Sequence, residues 1–289
     1  PAGPPPIYHL SPRPPFDLFA GQQLALVGRY RKSGAAQLVL KGQLGNETKT
    51  FKFPVEFVHH SGDESKAFVA RLWAIRRVAD ILDEIDLHGK NQELIDELTR
   101  LALKYGIVTP YTSFLADENV PIHDLTEVRR QAETRLGSLS IAEGAAGVAQ
   151  RAFRGRMQQA ETASPPMAER DIRDFGAMAS AAAPAAPGGY AGGGATKANS
   201  LSAAAREMEQ ASRGETLRQI GSRAFYRRQG QWIDGTLKPE QQQNPTRVKQ
   251  FSDEYFNLVR QHGRELGQYL VFDEPVLINI NNQAYLIEP

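Results

Sequence analysis

Apolar and polar positions change rhythm several times along this chain, and each change marks a different element. Between Gln22 and Phe57 short apolar runs are broken by turn residues. Leu24 to Tyr30 and Gln37 to Leu44 flank Lys32-Ser33-Gly34, and Gly45-Asn46 precedes Lys49 to Phe57, the pattern of an antiparallel β-meander. In the last run Phe51, Phe53, Val55 and Phe57 alternate with Thr50, Lys52, Pro54 and Glu56, giving one apolar and one wet face. Pro54 has no amide to donate, so this strand lies at an edge or turns the proline toward solvent. Strands with one apolar face need a cover. The expectation is a partial β-sandwich whose other layer lies upstream of Pro1.

From Ser65 to Leu87 the spacing becomes helical, with Phe68, Leu72, Ile75, Ala79 and Leu82 on one stripe widened by Val78, Ile81 and Ile85. Gly89 ends it. Leu94, Leu98, Leu101 and Tyr105 form a second stripe, which Asn91 caps and Gly106 stops, so the pair predicts a helical hairpin. Asp96, four residues before Arg100, predicts an ion pair along the second helix. The β-branched and aromatic run Ile107 to Leu115 predicts a returning strand.

The flanks read differently. Residues 1–15 hold a dense proline run, expected to be an extended lead-in, and 16–116 carry the meander, the hairpin and the returning strand. Within 117–216 a patchy helical stretch (Leu125, Val128, Ala132, Leu136) gives way at 179–196 to almost pure Ala, Gly and Pro, expected to be a flexible linker. Residues 217–289 predict a small α+β module. In it Ala224-Phe225-Tyr226 and Trp232-Ile233 flank Gln229-Gly230, Ser252 caps a helix, and Val276 to Ile280 and Ala284 to Ile287 flank Asn281-Asn282. The fold class expected is α+β.

Composition narrows the chemistry. The 289 residues carry 34 Lys+Arg against 33 Asp+Glu, a net charge of +1, so no global field draws the chain to nucleic acid or an anionic membrane. Without cysteine there is no thiol nucleophile, disulfide or thiolate metal site. No apolar run reaches membrane-spanning length. The first residue is Pro1, with no basic-then-apolar leader behind it, and the expectation is a processed or excised piece of a longer protein.

One set of residues is more specific. Arg71-Leu72-Trp73-Ala74, then two amphipathic helices, then Leu101 to Tyr105, Gly106-Ile107-Val108 and Thr109-Pro110-Tyr111-Thr112-Ser113 resembles the region just after the von Willebrand A domain in VIT-domain proteins similar to inter-alpha-trypsin inhibitor heavy chains. Asp17 to Leu24 and Val27-Gly28-Arg29-Tyr30 look like a strand segment of the same family. Phe225-Tyr226, Trp232-Ile233-Asp234 and the last hairpin look like the end module of its bacterial members. The resemblance covers roughly residues 16–116 and, more weakly, 217–289. It implies a β-sandwich assembled from strands on both sides of an inserted A domain, in a secreted or envelope-facing adhesion protein that meets protein or matrix partners mainly through that upstream domain. Trp73, Thr109, Pro110, Tyr111, Thr112 and Ser113 are its signature here, read as structural.

The family's metal motif, Asp-x-Ser-x-Ser, does not occur in this sequence, and Phe272-Asp273-Glu274-Pro275 does not match the Asp-Pro-His-Phe ending through which some members are esterified to hyaluronan. Other candidates have plainer readings. His59-His60 with Asp63 and Glu64 offers imidazole and carboxylate ligands but reads as a polar loop. Asp80, Asp83, Glu84 and Asp86 read as a solvated helix face. Gly188 to Lys197 has the wrong order for a phosphate loop, and Gly137-Ser138-Leu139-Ser140 lacks the second glycine of a nucleophile elbow. Arg223, Arg227 and Arg228 around Phe225-Tyr226 read as a wet face beside core aromatics rather than a single-strand binder. The expectation is therefore a non-enzymatic interaction scaffold with no cofactor, metal, nucleic-acid partner or membrane insertion. The alternative is a hydrolase or glycan-processing enzyme with its site between the two modules.

Overall fold

A computed structural model describes residues 7–59, 66–140, 143–162, 172–173, 175–177 and 194–289. The class is α+β, with a helical hairpin and a C-terminal sheet. The N-terminal strands pair as two separate ribbons rather than one meander. β1 (Ile7–Ser11) lies antiparallel to β2 (Val27–Tyr30), and β3 (Gly34–Leu44) to β4 (Glu47–Phe57). The expected proline lead-in thus contains a strand, because Ile7 to Leu10 lies between the prolines with its amides free to pair.

The hairpin is α1 (Ala67–His88) and α2 (Gln92–Tyr105). The side chain of Asn91 accepts from the Glu93 amide, and Gly106 closes α2 at φ 60, ψ 40, the left-handed position open to glycine. α1 is buried on most of its circumference, against α2, the first ribbon and α4 (Gly144–Gln158). Three of its arginines are buried with it. Arg76 donates to Ala160 O (2.8 Å), Ala25 O (2.7 Å) and Ser11 O (3.2 Å), while Arg77 forks onto Glu97 (2.9 and 2.7 Å). Arg71 donates through Nε to Tyr105 O.

The returning strand is absent. Residues 109–116 form a turn followed by a 3-10 segment at Ser113–Ala116. Thr109 and Thr112 explain this: their hydroxyls contact one another at 2.9 Å and bond the amides of Thr109, Tyr111 and Thr112 and the Ile107 carbonyl. Local side-chain bonds take the place of a ladder, and Pro110 has no amide to contribute. α3 (Leu125–Leu136) follows, capped by Asp124. Of the expected linker, residues 179–193 lie outside the described residues. Gly194 to Thr196 already belong to α5 (Gly194–Ser212), whose Leu201, Ala204, Ala205 and Met208 are buried.

The C-terminal sheet has six strands in the order β5-β6-β7-β9-β10-β8: β5 (Leu217–Ile220), β6 (Arg223–Arg228), β7 (Gln231–Asp234), β8 (Thr246–Lys249), β9 (Val276–Ile280) and β10 (Gln283–Glu288). Pairing is antiparallel except for β7 with β9 and β8 with β10. Two of its hairpin turns are Gln229-Gly230 and Asn281-Asn282, all four residues at positive φ as a two-residue primed turn requires, and Gly221-Ser222 joins β5 to β6. A short helix, α6 (Pro239–Gln243), follows β7, and Ser252 caps α7 (Asp253–Gly267).

Both faces of this sheet are covered. Leu217, Ala224, Tyr226, Ile233, Leu277, Ala284 and Leu286 join one continuous core with the helices of the N-terminal half. Phe225, Trp232, Val276, Ile278 and Ile287 face the other way, into a second core with Tyr255 and Leu258 of α7. One buried cluster thus includes residues on both sides of position 217. The approach is close: the Tyr226 hydroxyl donates to Ala102 O (3.0 Å) and Leu103 O (2.9 Å), the open carbonyls at the end of α2.

Gly235 measures that closeness. A methyl there would lie 2.5 Å from Leu103 O and 2.8 Å from a Tyr226 ring carbon, whereas one on Gly155 in α4 meets nothing. Gly235→Ala is expected to lower unfolding free energy in urea by about 2–3 kcal/mol, and Gly155→Ala to raise it by about 0.5–1 kcal/mol. Equal midpoints for Gly235→Ala and the parent would show that the sheet does not bear on α2 in this way.

Candidate functional site

The β3–β4 ribbon has an unusual surface. Eleven pairs run from Gly34↔Phe57 to Leu44↔Glu47, a ladder about 36 Å long at ~3.3 Å per residue. Register places Ala36, Leu38 and Leu40 with Phe51, Phe53, Val55 and Phe57 on one face, and Gln37, Lys41, Gln43, Thr48, Thr50, Lys52 and Glu56 on the other. Neither strand packs to any extent on another element. Phe51 is 52% exposed, Phe53 48% and Leu38 38%. The ribbon is tied at its base, where Tyr30 packs on Phe57 (ring centroids 4.5 Å apart) and donates to Val58 O. Its outer edges carry unpaired backbone groups, since each strand has one neighbour.

The signature residues lie in the interior. Trp73 donates from Nε1 to His9 O (3.1 Å), under the Arg29 guanidinium, and so holds β1 against α1. Tyr111 is fully buried with its hydroxyl on Gln150, and Ser113 donates to Glu207 (2.6 Å). Thr109, Pro110 and Thr112 form the turn described above.

Other candidates differ from expectation. The acidic row of α1 is paired rather than solvated: Asp83 and Asp86 hold Arg154 (2.8 and 2.7 Å), and Glu84 holds Arg13 and Arg77. Asp80 lies 3.7 Å from Arg13, and burial raises its pKa. Asp96 is held by Arg129 (2.7 and 3.1 Å) from α3, where Arg100 was expected. The arginines of β6 are not a wet face. Arg228 is buried and donates to Val120 O, Leu115 O and Arg227 O, and burial pulls its pKa down to about 10. Arg223 pairs with the fully buried Asp234, and Arg227 with Glu118 and Glu274. Carbonyls and carboxylates replace the water that reading required.

Ser138 and Ser140 donate to Arg135 O and Gly137 O within their own turn. Phe272 stacks on Trp232. His59 is exposed, while His60, Asp63 and Glu64 lie outside the described residues, as do positions 188–193 of the glycine-rich run. Among the described residues no group of three or more His, Asp or Glu is placed to hold a metal ion, and no helix is long and apolar enough to cross a membrane.

Two cavities are of a size to hold a small ligand. One of about 530 Å³ lies between α2, α3 and the β7–α6 turn, with Arg100, Lys104, Lys238 and His123 on its walls. Its carboxylates are engaged: Asp96 by Arg129, and Asp234 by Arg223, the Thr236 amide and hydroxyl, and the Asn279 amide. The other, about 400 Å³, is lined mainly by apolar side chains including Val108, Phe153, Met208 and Leu217, with Arg71 in its wall. Sequence reasoning passed over Arg71, although a cation three residues after Phe68 and four before Ile75 falls on the apolar stripe, and that was a readable signal. No protein-family model, curated protein or solved structure matches this chain.

His123 gives the first cavity a pH dependence. Burial, and then the Arg228 charge, lower its pKa below 6.5. Above that pH both folded and unfolded imidazoles are neutral; as pH falls through it the unfolded chain takes the proton first, so acid destabilises the fold. His9, also lowered by burial, acts in the same direction. From about pH 7.5 to about 5.5 the melting temperature is expected to fall, and to fall less in His123→Gln. Parallel curves for the two proteins would remove His123 from the account.

Proposed function

We propose that this chain is a non-enzymatic interaction scaffold, and that the apolar face of the β3–β4 ribbon receives a second β-layer. The observation that carries the reading is that row of Leu38, Leu40, Phe51, Phe53 and Val55, borne on a ribbon that, beyond its contact with Tyr30 at the base, packs little on the other described elements. An isolated two-stranded hairpin is marginal in water, and inner faces of aligned sheets interdigitate across about 10 Å. A covering sheet would bury these side chains and leave the lysines and threonines of the opposite face wet.

The β-sandwich implied by the resemblance to VIT and von Willebrand A proteins supports the same reading. On it, the covering layer and the ligand-binding A domain belong to the polypeptide upstream of Pro1, protein or matrix partners are met mainly there, and the setting is extracytoplasmic. The engagement of Asp96 and Asp234 by neighbouring groups supports binding over catalysis at the larger cavity.

An uncovered row of this kind is expected to bind an apolar fluorescent dye and to drive association measurable by light scattering. Phe53→Lys should reduce both while leaving helical circular dichroism unchanged. A monodisperse, dye-free parent chain that Phe53→Lys unfolds would mean that the row is a finished core, and the proposal would fail.

A further inference from the structure

Five arginine side chains are buried among the described residues, and four of them have all the partners their charge requires. Arg77 and Arg154 each meet two carboxylates. Arg76 and Arg228 each meet three carbonyls. Arg71 is the exception. It is 8% exposed, donates once, from Nε to Tyr105 O at 3.0 Å, and has no carboxylate beside it. Its two terminal nitrogens donate to none of the described residues. Tyr226, the one ionisable group acting on it, is fully buried, has its pKa raised by that burial and stays a neutral phenol. The terminal nitrogens are not among the fully buried atoms left without a partner, so they open on the adjoining cavity, where an anion could pair with them at low solvent exposure.

Arg71 lies in the wall of the 400 Å³ cavity, a volume in the range of pockets for small organic ligands. Phe153, Met208 and Leu217 in the same wall are almost wholly withdrawn from solvent. Among the described residues no Asp or Glu lines it, and the second cation there, Arg218, lies over the Trp232 ring at 4.6 Å. The site thus offers a mainly apolar surface and one fork of donors, with the polar side chains of Ser212 and Gln219 also in its wall. A small inorganic anion would leave the apolar walls unfilled, and a neutral hydrocarbon would leave the guanidinium unpaired.

We propose that this cavity binds a medium-chain fatty acid, its carboxylate bidentate on the terminal nitrogens of Arg71 and its hydrocarbon chain against Val108, Phe153, Met208 and Leu217. Planar fork-to-carboxylate pairing is the geometry guanidinium favours, and it is strongest where water is excluded. The site is separate from the ribbon and does not depend on the function assigned to it.

The test is calorimetric titration with dodecanoate and with dodecanol, below the micellar range. Saturable one-to-one binding of dodecanoate is expected, with a rise in melting temperature as ligand is added. Arg71→Met should weaken dodecanoate roughly tenfold to a hundredfold and leave dodecanol little changed. Ala211→Trp, which puts a large ring into the cavity, should abolish binding of both. Should Arg71→Met fail to fold, Arg71→Lys keeps the charge and loses the fork, and is expected to give an intermediate loss. Phe53→Lys should leave the titration unaltered, which separates this site from adsorption on the ribbon. Absence of saturable dodecanoate binding, equal affinity for acid and alcohol, or binding unchanged by Ala211→Trp would each overturn the proposal.

Discussion

Buried cations on α1 set the terms for the rest of the molecule. A helix sunk on most of its circumference carries Arg71, Arg76 and Arg77 into the interior, and each charge costs several kcal/mol unless it is met there. Hydrogen bonds to a charged group are worth about 1.5–3 kcal/mol each, so the three that Arg76 and Arg77 each make offset that cost, while Arg71 makes one. Arg76 draws its acceptors from before β2, from the end of β1 and from beyond α4. Segments more than 60 residues apart in sequence are thereby fixed to one side chain. Arg77 joins α1 to α2 through Glu97, and Arg154 joins α4 back to α1 through Asp83 and Asp86. The helical half is held by polar groups inside it as much as by its apolar stripe.

The sheet and the ribbon show how strand pattern reports the number of covered faces. β9 is nearly continuous in apolar residues, and its two sides enter two different cores. β4 alternates from Phe51 to Phe57, and apart from Phe57 against Tyr30 it packs little on the other described elements beyond β3. A period of two therefore marks a strand built for one cover, whether or not that cover is at hand.

Much of the architecture was legible in local signals. Asn91, Gly106, Ser252 and the Gln229-Gly230 and Asn281-Asn282 turns act within a few residues of themselves, and each lies where its chemistry predicts. What escaped was one local competition and several decisions made at long range. The 107–115 run has strand propensity, but the hydroxyls of Thr109 and Thr112 close a turn that propensity does not weigh. Asp96 had a partner four residues away and took one 33 residues away. The arginines of β6 look like solvent-facing residues until Leu115, Val120, Asp234 and Glu274 are brought beside them. At the candidate surface the apolar row was visible in the alternation, while its isolation from the helices was not. The Arg71 cavity draws walls from α1, α4, α5 and β5, a juxtaposition no window of sequence contains.

The position of β10 has a consequence for the order of events during synthesis. It lies between β9 and β8, so β8, translated earlier, has no sheet neighbour until the ribosome has passed through α7 and β9. The faces of α1 and α2 that await the sheet are complete long before Leu277, Ala284 and Leu286 arrive to cover them. Translation runs from the helices to the sheet, but closure of the shared core waits for the last strand. The nascent helical half must pass that interval with apolar surface open to water or to a chaperone.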